Sequence, residues 1–525
     1  MARFIDARQG DVPAELSADI CIVGAGAAGI TLALQLAGAG ADVLLLESGG
    51  ERIDAETQGL YAAEQTGSDY FDLSAGRLRF LGGTTNHWAG NCRENDPVDY
   101  AGRPELGVVA WPLSYRDIRP YVERAARSLG LDVAGWEPEM MSRKAGFGSD
   151  RLIEHQSHLL ETKIFQFAKR LRLRELYADD LKRAVTLRPL LHANVTHVQL
   201  DDAGRVVRHL TVRTLNERQL RIQANTFVLA AHAVENARLL LCSNDVQRAG
   251  IGNDTGHVGR YFMEHPVVES GLMFPSSRFS RFYDAGATRS RGMTVDMSMT
   301  ESAMRSQGML SYYCRFNPVV ATDETLSAID TLSAGFWRPA DLAAIQALGR
   351  VLADIPGVIR YIDDRKLSTG LIAPRAYRLK HRIEQSPNAE SRVTLSAQRD
   401  RLGSSKAKLD WHLSDLDYQS FAKGQALVAK EFIRLGLGTF RLAELTPELI
   451  EASVQGSNHH VGTTRMSESA RSGVVDRNGK VHGIDNLYVA GSSIFPTIGY
   501  SGPTMMLIAF ALRLGDRLLQ LRRAT

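Results

Sequence analysis

The residues with the clearest chemical meaning lie near the start of the chain. Gly24-Ala25-Gly26-Ala27-Ala28-Gly29 follows the apolar run Asp19-Ile20-Cys21-Ile22-Val23 and leads into an Ala- and Leu-rich stretch at 30–38. A second apolar run, 42–46, ends at Glu47 and Ser48. Glycines at this spacing between a strand and a helix serve phosphate groups. Gly24 permits a tight turn, Gly26 lets the backbone approach a pyrophosphate, and Gly29 lets the helix pack closely on the strand. The helix N-terminus, with Ala27 and Ala28 in its first turn, supplies amide donors and partial positive charge. Glu47 stands where a carboxylate can accept hydrogen bonds from ribose hydroxyls. Together these parts predict a βαβ unit of about 30 residues that binds a dinucleotide.

The glycine turn alone does not separate FAD from NAD. Two later segments bear on that choice. Residues 226–241, TFVLAAHAVENARLLL, read as a strand, a small-residue turn at Ala230 and Ala231, and a helix. Residues 485–496, DNLYVAGSSIFP, read as a strand that meets Gly491 and Ser492. A long helix then opens near Pro503 and Thr504, proline being favoured at a first helical position. A second helix N-terminus directed at the first site suits the pyrophosphate and ribityl portion of a flavin. FAD is therefore the expected cofactor, in a domain closed by the far end of the chain.

The elements that must position these residues follow from the same pattern. Residues 191–229 alternate apolar and polar around turn signals and predict a β-meander. Residues 258–455 mix strands and helices, with 319–372 largely helical and SRVTL at 391–395 strand-like. The fold class expected is α/β, α+β overall. A Rossmann-like FAD-binding domain takes residues 1–150, 185–257 and 466–525. An interleaved substrate-binding domain, built on an antiparallel sheet, takes residues 151–184 and 258–465.

Composition narrows the class. A chain of 525 residues, 44% hydrophobic and 23% charged, has the make-up of a large globular enzyme. Its net charge of +3 argues against a nucleic-acid footprint, which needs concentrated basic charge. Cys21, Cys92, Cys242 and Cys314 are far apart and form no CxxC pair, so neither a disulfide framework, a metal site nor a cluster is expected. The start of the chain is polar, and the apolar stretch 505–512 is too short for a membrane span. A cytoplasmic location is expected.

Further motifs occur in order along the chain: GGTTNHW at 82–88, WPL at 111–113, VGRYFMEHP at 258–266, EQSPNAESRVTL at 384–395, HHVGTTRM at 459–466, and the run through 474–504. With the glycine turn they resemble the glucose–methanol–choline (GMC) flavoprotein oxidoreductases, in flavour the bacterial and pyranose-oxidase-like sugar enzymes. The resemblance implies an FAD domain and a substrate domain whose sheet covers the flavin ring. It implies that the loop of Gly82, Gly83 and Thr84, with Asn86, Trp88 and Ala89 beside it, lies along the isoalloxazine and pyrophosphate. Val195 matches the position whose backbone meets the adenine. His87 matches the histidine that some relatives join covalently to the flavin; a non-covalent site is the preferred reading.

The chemistry implied is oxidation of an alcohol to a carbonyl, with a hydride passing to the flavin and a base removing the hydroxyl proton. His459, three residues before Gly462, matches the family's active-site histidine, and an ordinary imidazole near ~6.5 suits proton abstraction at neutral pH. The substrate expected is a small-molecule alcohol, a sugar, glycoside or similar polyol. An aromatic or other bulky alcohol, or a non-redox lyase of the same fold, are the alternatives. The electrons are expected to leave to an external acceptor such as oxygen, a quinone or a redox protein.

The chain departs from the family where a second His or Asn usually precedes the last helix; here the residue is Gly502. Three explanations follow. His459 acts alone, Ser501, Tyr500 or Asn458 substitutes, or the vacated space admits a bulky substrate. His265 is expected to order its loop through backbone bonds. His232 replaces the small residue usual in its turn. Phe165, Phe167, Tyr312, Tyr313, Phe336 and Trp337 are candidates for a pocket wall, with core packing the preferred reading.

Overall fold

A computed structural model describes residues 4–169, 171–321, 323–333, 342–362 and 374–524. Two large sheets organise them. In the first, the strands Ile5–Asp6, Leu187–Leu191, Val43–Leu46, Glu15–Val23 and Gln219–Leu229 lie side by side in parallel. Their central stretches, Val43–Leu46, 20–23 and 227–229, are continuous buried apolar runs, as in a parallel sheet covered on its faces. Val43–Leu46 is buried at every position.

The strand Gln219–Leu229 carries two partners along its outer edge. Its first half pairs antiparallel with Val207–Arg213, which pairs in turn with Asn194–Leu200. This is the meander expected at 191–229. Its second half pairs in parallel with Leu487–Val489, register Phe227 to Leu487. The far end of the chain thus inserts into the sheet begun by its first strands. The closing helix Pro503–Ala524 packs beside the helix Ala27–Gly38.

The second sheet is antiparallel throughout, in the order Gly438–Arg441, Val267–Pro275, Tyr377–Ile383, Tyr312–Pro318, Met293–Met299, Leu160–Phe167 and Asn91–Cys92. Alternation along each strand gives it two unlike faces. Met293, Val295, Met297, Tyr312, Cys314 and Phe316 turn to an apolar layer under the helix Asp415–Leu435. Thr294, Asp296, Tyr313, Arg315, Lys380 and Arg382 turn to the opposite face, which bears the site described below.

Local differences from the sequence expectation are small. Two short helices, Leu173–Leu176 and Ala178–Arg183, lead into the strand Leu187–Leu191. Helices Asp323–Ser333, Leu342–Ala353 and Ile355–Ile362 occupy the region expected to be helical. Phe336 and Trp337 lie outside the described residues. Among the described residues no helix is long and apolar enough to cross a membrane.

Candidate active site

The glycine turn sits between three backbones. Gly24 has φ +104°, and a Cβ there would come within 2.5 Å of the Ala230 carbonyl oxygen. A Cβ on Gly29 would lie 1.8 Å from the Gly24 carbonyl oxygen. Turn, helix and second strand–turn unit are therefore pressed together. Gly26 differs: nothing lies within 4 Å of where its Cβ would project. That open side faces a deep cavity.

Each of the expected cofactor elements contributes to the cavity wall. Gly24, Gly26, Ala27 and Ala28 come from the first turn and helix, and Glu47 and Ser48 from the end of Val43–Leu46. Gly83, Thr84 and Trp88 come from the GGTTNHW loop, Val195 from the meander, and Ala230 and Ala231 from the second strand–turn unit. Gly491, Ser492 and Thr504 close it from the far end of the chain. The helix Ala27–Gly38 has no side-chain cap at Gly26, so its first amides are left for a ligand. The Glu47 carboxylate is held by the amides of Ala25 and Gly49, both at 2.9 Å.

The opposite wall carries cationic groups that the sequence did not single out. Glu235 is buried and bridges Arg77 at 2.9 Å, Arg238 at 2.9 Å and Arg79 at 3.5 Å. These three guanidiniums, with burial opposing them, hold the Glu235 carboxyl down to about 2. Arg79 lines the cavity, and its buried Nε has no hydrogen-bond partner among the described residues. A cavity with an uncapped helix end, a Cβ-free approach at Gly26 and an unsatisfied guanidinium fits a diphosphate, and the βαβ unit around it fits a dinucleotide.

A second cluster lies where the antiparallel sheet meets the last helix. His459 Nδ1 is 2.8 Å from His265 Nδ1, and the rings are perpendicular. His265 Nε2 is 2.9 Å from the Gly499 carbonyl oxygen. A carbonyl only accepts, so His265 must carry its proton on Nε2 and leave Nδ1 bare. His459 must then donate from Nδ1, which leaves its Nε2 as a lone-pair acceptor. Neither ring is charged. Burial, with Arg382 adding to it, pushes His459 down to about 3, and burial with the neighbouring His459 and Arg382 pushes His265 well below the usual range.

The backbone under these rings is held by one carboxylate. Glu264 Oε1 accepts from the amides of His265 and His459, both at 2.8 Å. Its Oε2 accepts from the Tyr70 hydroxyl, which also lies 2.7 Å from His460 Nε2. The atoms of Glu264, His265 and His459 that face one another are thus committed to hydrogen bonds. At Gly502, a Cβ would stand 3.5 Å from His459 Cε1 and 3.7 Å from Nε2. Glycine there leaves the bare nitrogen uncovered.

Comparison with known proteins fits this geometry. Residues 19–246 match the FAD dependent oxidoreductase family and residues 387–511 match the GMC oxidoreductase family. The chain thus carries an FAD dependent oxidoreductase domain and a GMC oxidoreductase C-terminal domain. The large subunit of fructose dehydrogenase from Gluconobacter japonicus is 24% identical, over 96% of this chain and 98% of its own length. Paromamine 6'-oxidase from Streptomyces fradiae is 23% identical, over 94% and 90%. Among solved structures, pyridoxine 4-oxidase from Mesorbium loti aligns with TM-score 0.55 and 18% identity, over 96% of this chain and 99% of that one. A formate oxidase aligns with TM-score 0.56 and 16% identity, over 98% and 100%.

Several of the expected site residues sit elsewhere than the cavity wall. Gly29 packs behind the turn, Pro503 opens the last helix, and Gly82 has φ +90° at the entrance of the loop. Asn86 ties the loop together through Leu81 and Gly83 carbonyls. His87 ends the short helix Gly83–Asn86 and is exposed. Ala89 faces a separate cleft with Asn91, Phe167 and Leu171. Ser501 donates to the Glu94 carbonyl, and Tyr500 donates to Asp96, so both are engaged away from His459.

Two histidines act differently from expectation. His265 was expected to order its loop through backbone bonds; its Nε2 does meet the Gly499 carbonyl, and its Nδ1 is in addition the direct partner of His459. No sequence signal marks this, because 194 residues separate them. His232 has φ +85° and caps the helix Ala233–Cys242 by accepting from the Val234 amide. It lines the cavity and stands edge-on to His460. His459, expected near its ordinary pKa, is far below it because the ring is desolvated.

Proposed function

We propose that this enzyme oxidises an alcohol carbon of a sugar, glycoside or similarly polyhydroxylated substrate to a carbonyl, with His459 as the base. The observation that carries this reading is the bare Nε2 of His459, fixed by His265 and left uncovered by Gly502. A neutral imidazole with an oriented lone pair is ready to take a hydroxyl proton. FAD, when bound, supplies acceptance of the two electrons of the alcohol C–H bond. The curated relatives that oxidise or dehydrogenate sugars and aminosugars support the substrate class.

In this reading the first sheet and its closing helix form the FAD domain, and the antiparallel sheet carries the substrate. FAD is held without a covalent bond, His87 standing outside the cavity wall. The electrons pass to an acceptor outside the chain, either oxygen, a quinone or a redox protein. The four free, unpaired cysteines support a reducing compartment such as the cytoplasm. Mixing the FAD-loaded enzyme anaerobically with glycosides, free sugars and aromatic alcohols tests the proposal. Bleaching of the flavin by a polyol supports it; turnover without bleaching would instead make the enzyme a lyase.

A further inference from the structure

The polar face of the antiparallel sheet carries cationic side chains in successive rows. Lys163, Asp296, Arg315 and Lys380 share one row, and Ser298, Tyr313 and Arg382 the next. Three of the cations are matched by carboxylates. Lys163 pairs with Asp96 at 2.7 Å, Arg315 with Asp296 at 2.6 Å, and Lys380 with Glu269 at 3.4 Å. Arg382 has no carboxylate partner among the described residues.

Arg382 instead lies over the Tyr313 ring, 5.1 Å from its centroid, and its buried Nε has no hydrogen-bond partner among the described residues. The Tyr313 hydroxyl, on a residue only 1% exposed, is also buried and has no partner among the described residues. Two such orphans side by side are costly unless something absent from the chain satisfies them. They stand next to the reacting histidine. Arg382 pairs across the sheet with Val267, two residues after His265, and Tyr313 packs against Phe165 and Tyr500, just before Gly502.

We propose that Arg382 and Tyr313 form a cradle for an anionic oxygen group, a carboxylate or phosphate, carried by the substrate alcohol. This rests on the alcohol-oxidation reading and narrows its substrate to acidic polyols. The guanidinium offers a planar fork of donors, and the phenol adds one more from the same face. An aminosugar bearing ammonium groups would meet an unneutralised cation here and be disfavoured.

The test compares glucose, glucuronate and glucose 6-phosphate as reductants of the FAD-loaded enzyme under anaerobic conditions. The acidic sugars are expected to bind roughly ten- to a hundred-fold more tightly than glucose, and Arg382→Gln to remove that advantage. Arg382→Lys should restore part of it, and Tyr313→Phe should lose part. The carboxylate and phosphate arms show which anion fits. Equal binding of glucose and both acids, or an acid preference that survives Arg382→Gln, would overturn the cradle while leaving alcohol oxidation standing. Malonate, which has no alcohol to oxidise, gives an arm independent of turnover. It should perturb the flavin spectrum of the parent enzyme and bind at least roughly ten-fold more weakly to Arg382→Gln. No perturbation in the parent enzyme overturns the cradle whatever the sugars do.

Discussion

His265 Nδ1 faces His459 Nδ1 at 2.8 Å, and the Gly499 carbonyl behind His265 decides which of the two nitrogens carries the proton. A backbone oxygen thereby sets the tautomer of a side chain two rings away. Replacing His265 with Phe keeps a ring but removes the acceptor. Flavin reduction by a substrate alcohol should slow by roughly 10²- to 10⁴-fold, the cost of leaving a base in the wrong tautomer. His265→Gln, whose amide oxygen can accept from His459, should recover part of the rate. Nitrogen-15 shifts of the labelled imidazoles check the cause directly. They should show a bare Nε2 on His459 in the parent protein and mixed tautomers in His265→Phe.

Gly502 leaves His459 Nε2 open, so a side chain there should close it. Gly502→Asn would place its Cβ in ordinary contact with the imidazole and its amide in front of the lone pair. Reduction by bulky glycosides should fall roughly 10- to 100-fold, with small alcohols affected less. An unchanged substrate range would show that the space in front of Nε2 is not where substrate sits.

Two glycines of the same turn should fail in different ways. Gly29→Ala drives a Cβ to 1.8 Å from the Gly24 carbonyl, so helix and strand must separate and the protein should melt at a lower temperature. Gly26→Ala meets nothing in the protein. It should leave the melting temperature of the apoprotein nearly unchanged and weaken FAD binding, read by flavin fluorescence in a titration.

Burial of His459 sets a pH dependence with a definite sign. Its pKa falls from the ordinary 6.5 to about 3, so the neutral base is present throughout the neutral and mildly acidic range. The kcat/KM profile should show no loss through pH 6.5, where an exposed histidine base would protonate. Stability behaves otherwise. The unfolded chain takes up a proton at His459 below about 6.5 and the folded chain does not. This contribution to stability is complete above pH 6.5 and declines as pH falls toward 3. The same sign holds for His232, also pushed down to about 3 by burial. Thermal melts of His232→Asn between pH 7 and 5 should show a shallower acid decline than those of the parent.

His87 gives a simple yes-or-no measurement. The residue is exposed and does not line the cavity, so acid precipitation should release the yellow colour to the supernatant. Colour retained in the pellet, and lost from it in His87→Ala, would establish a covalent bond.

The sequence by itself determined the cofactor half of this protein. The glycine turn, Glu47 and the apolar runs around them act through neighbours close in the chain, where spacing alone dictates turn, helix and strand. The matching strand–turn units at 226–241 and 485–496 were legible for the same reason. Only the tertiary structure decided what surrounds His459. Its partner His265 with the adjacent carboxylate of Glu264, and the open face of Gly502, come from two separate segments of the chain. The pairing of Arg77, Arg79 and Arg238 on Glu235 was hidden in the same way. Hydrogen-bond direction and desolvation are properties of packed neighbours rather than of spacing. A motif can therefore name a histidine, while the fold sets which of its nitrogens is free and whether it is charged.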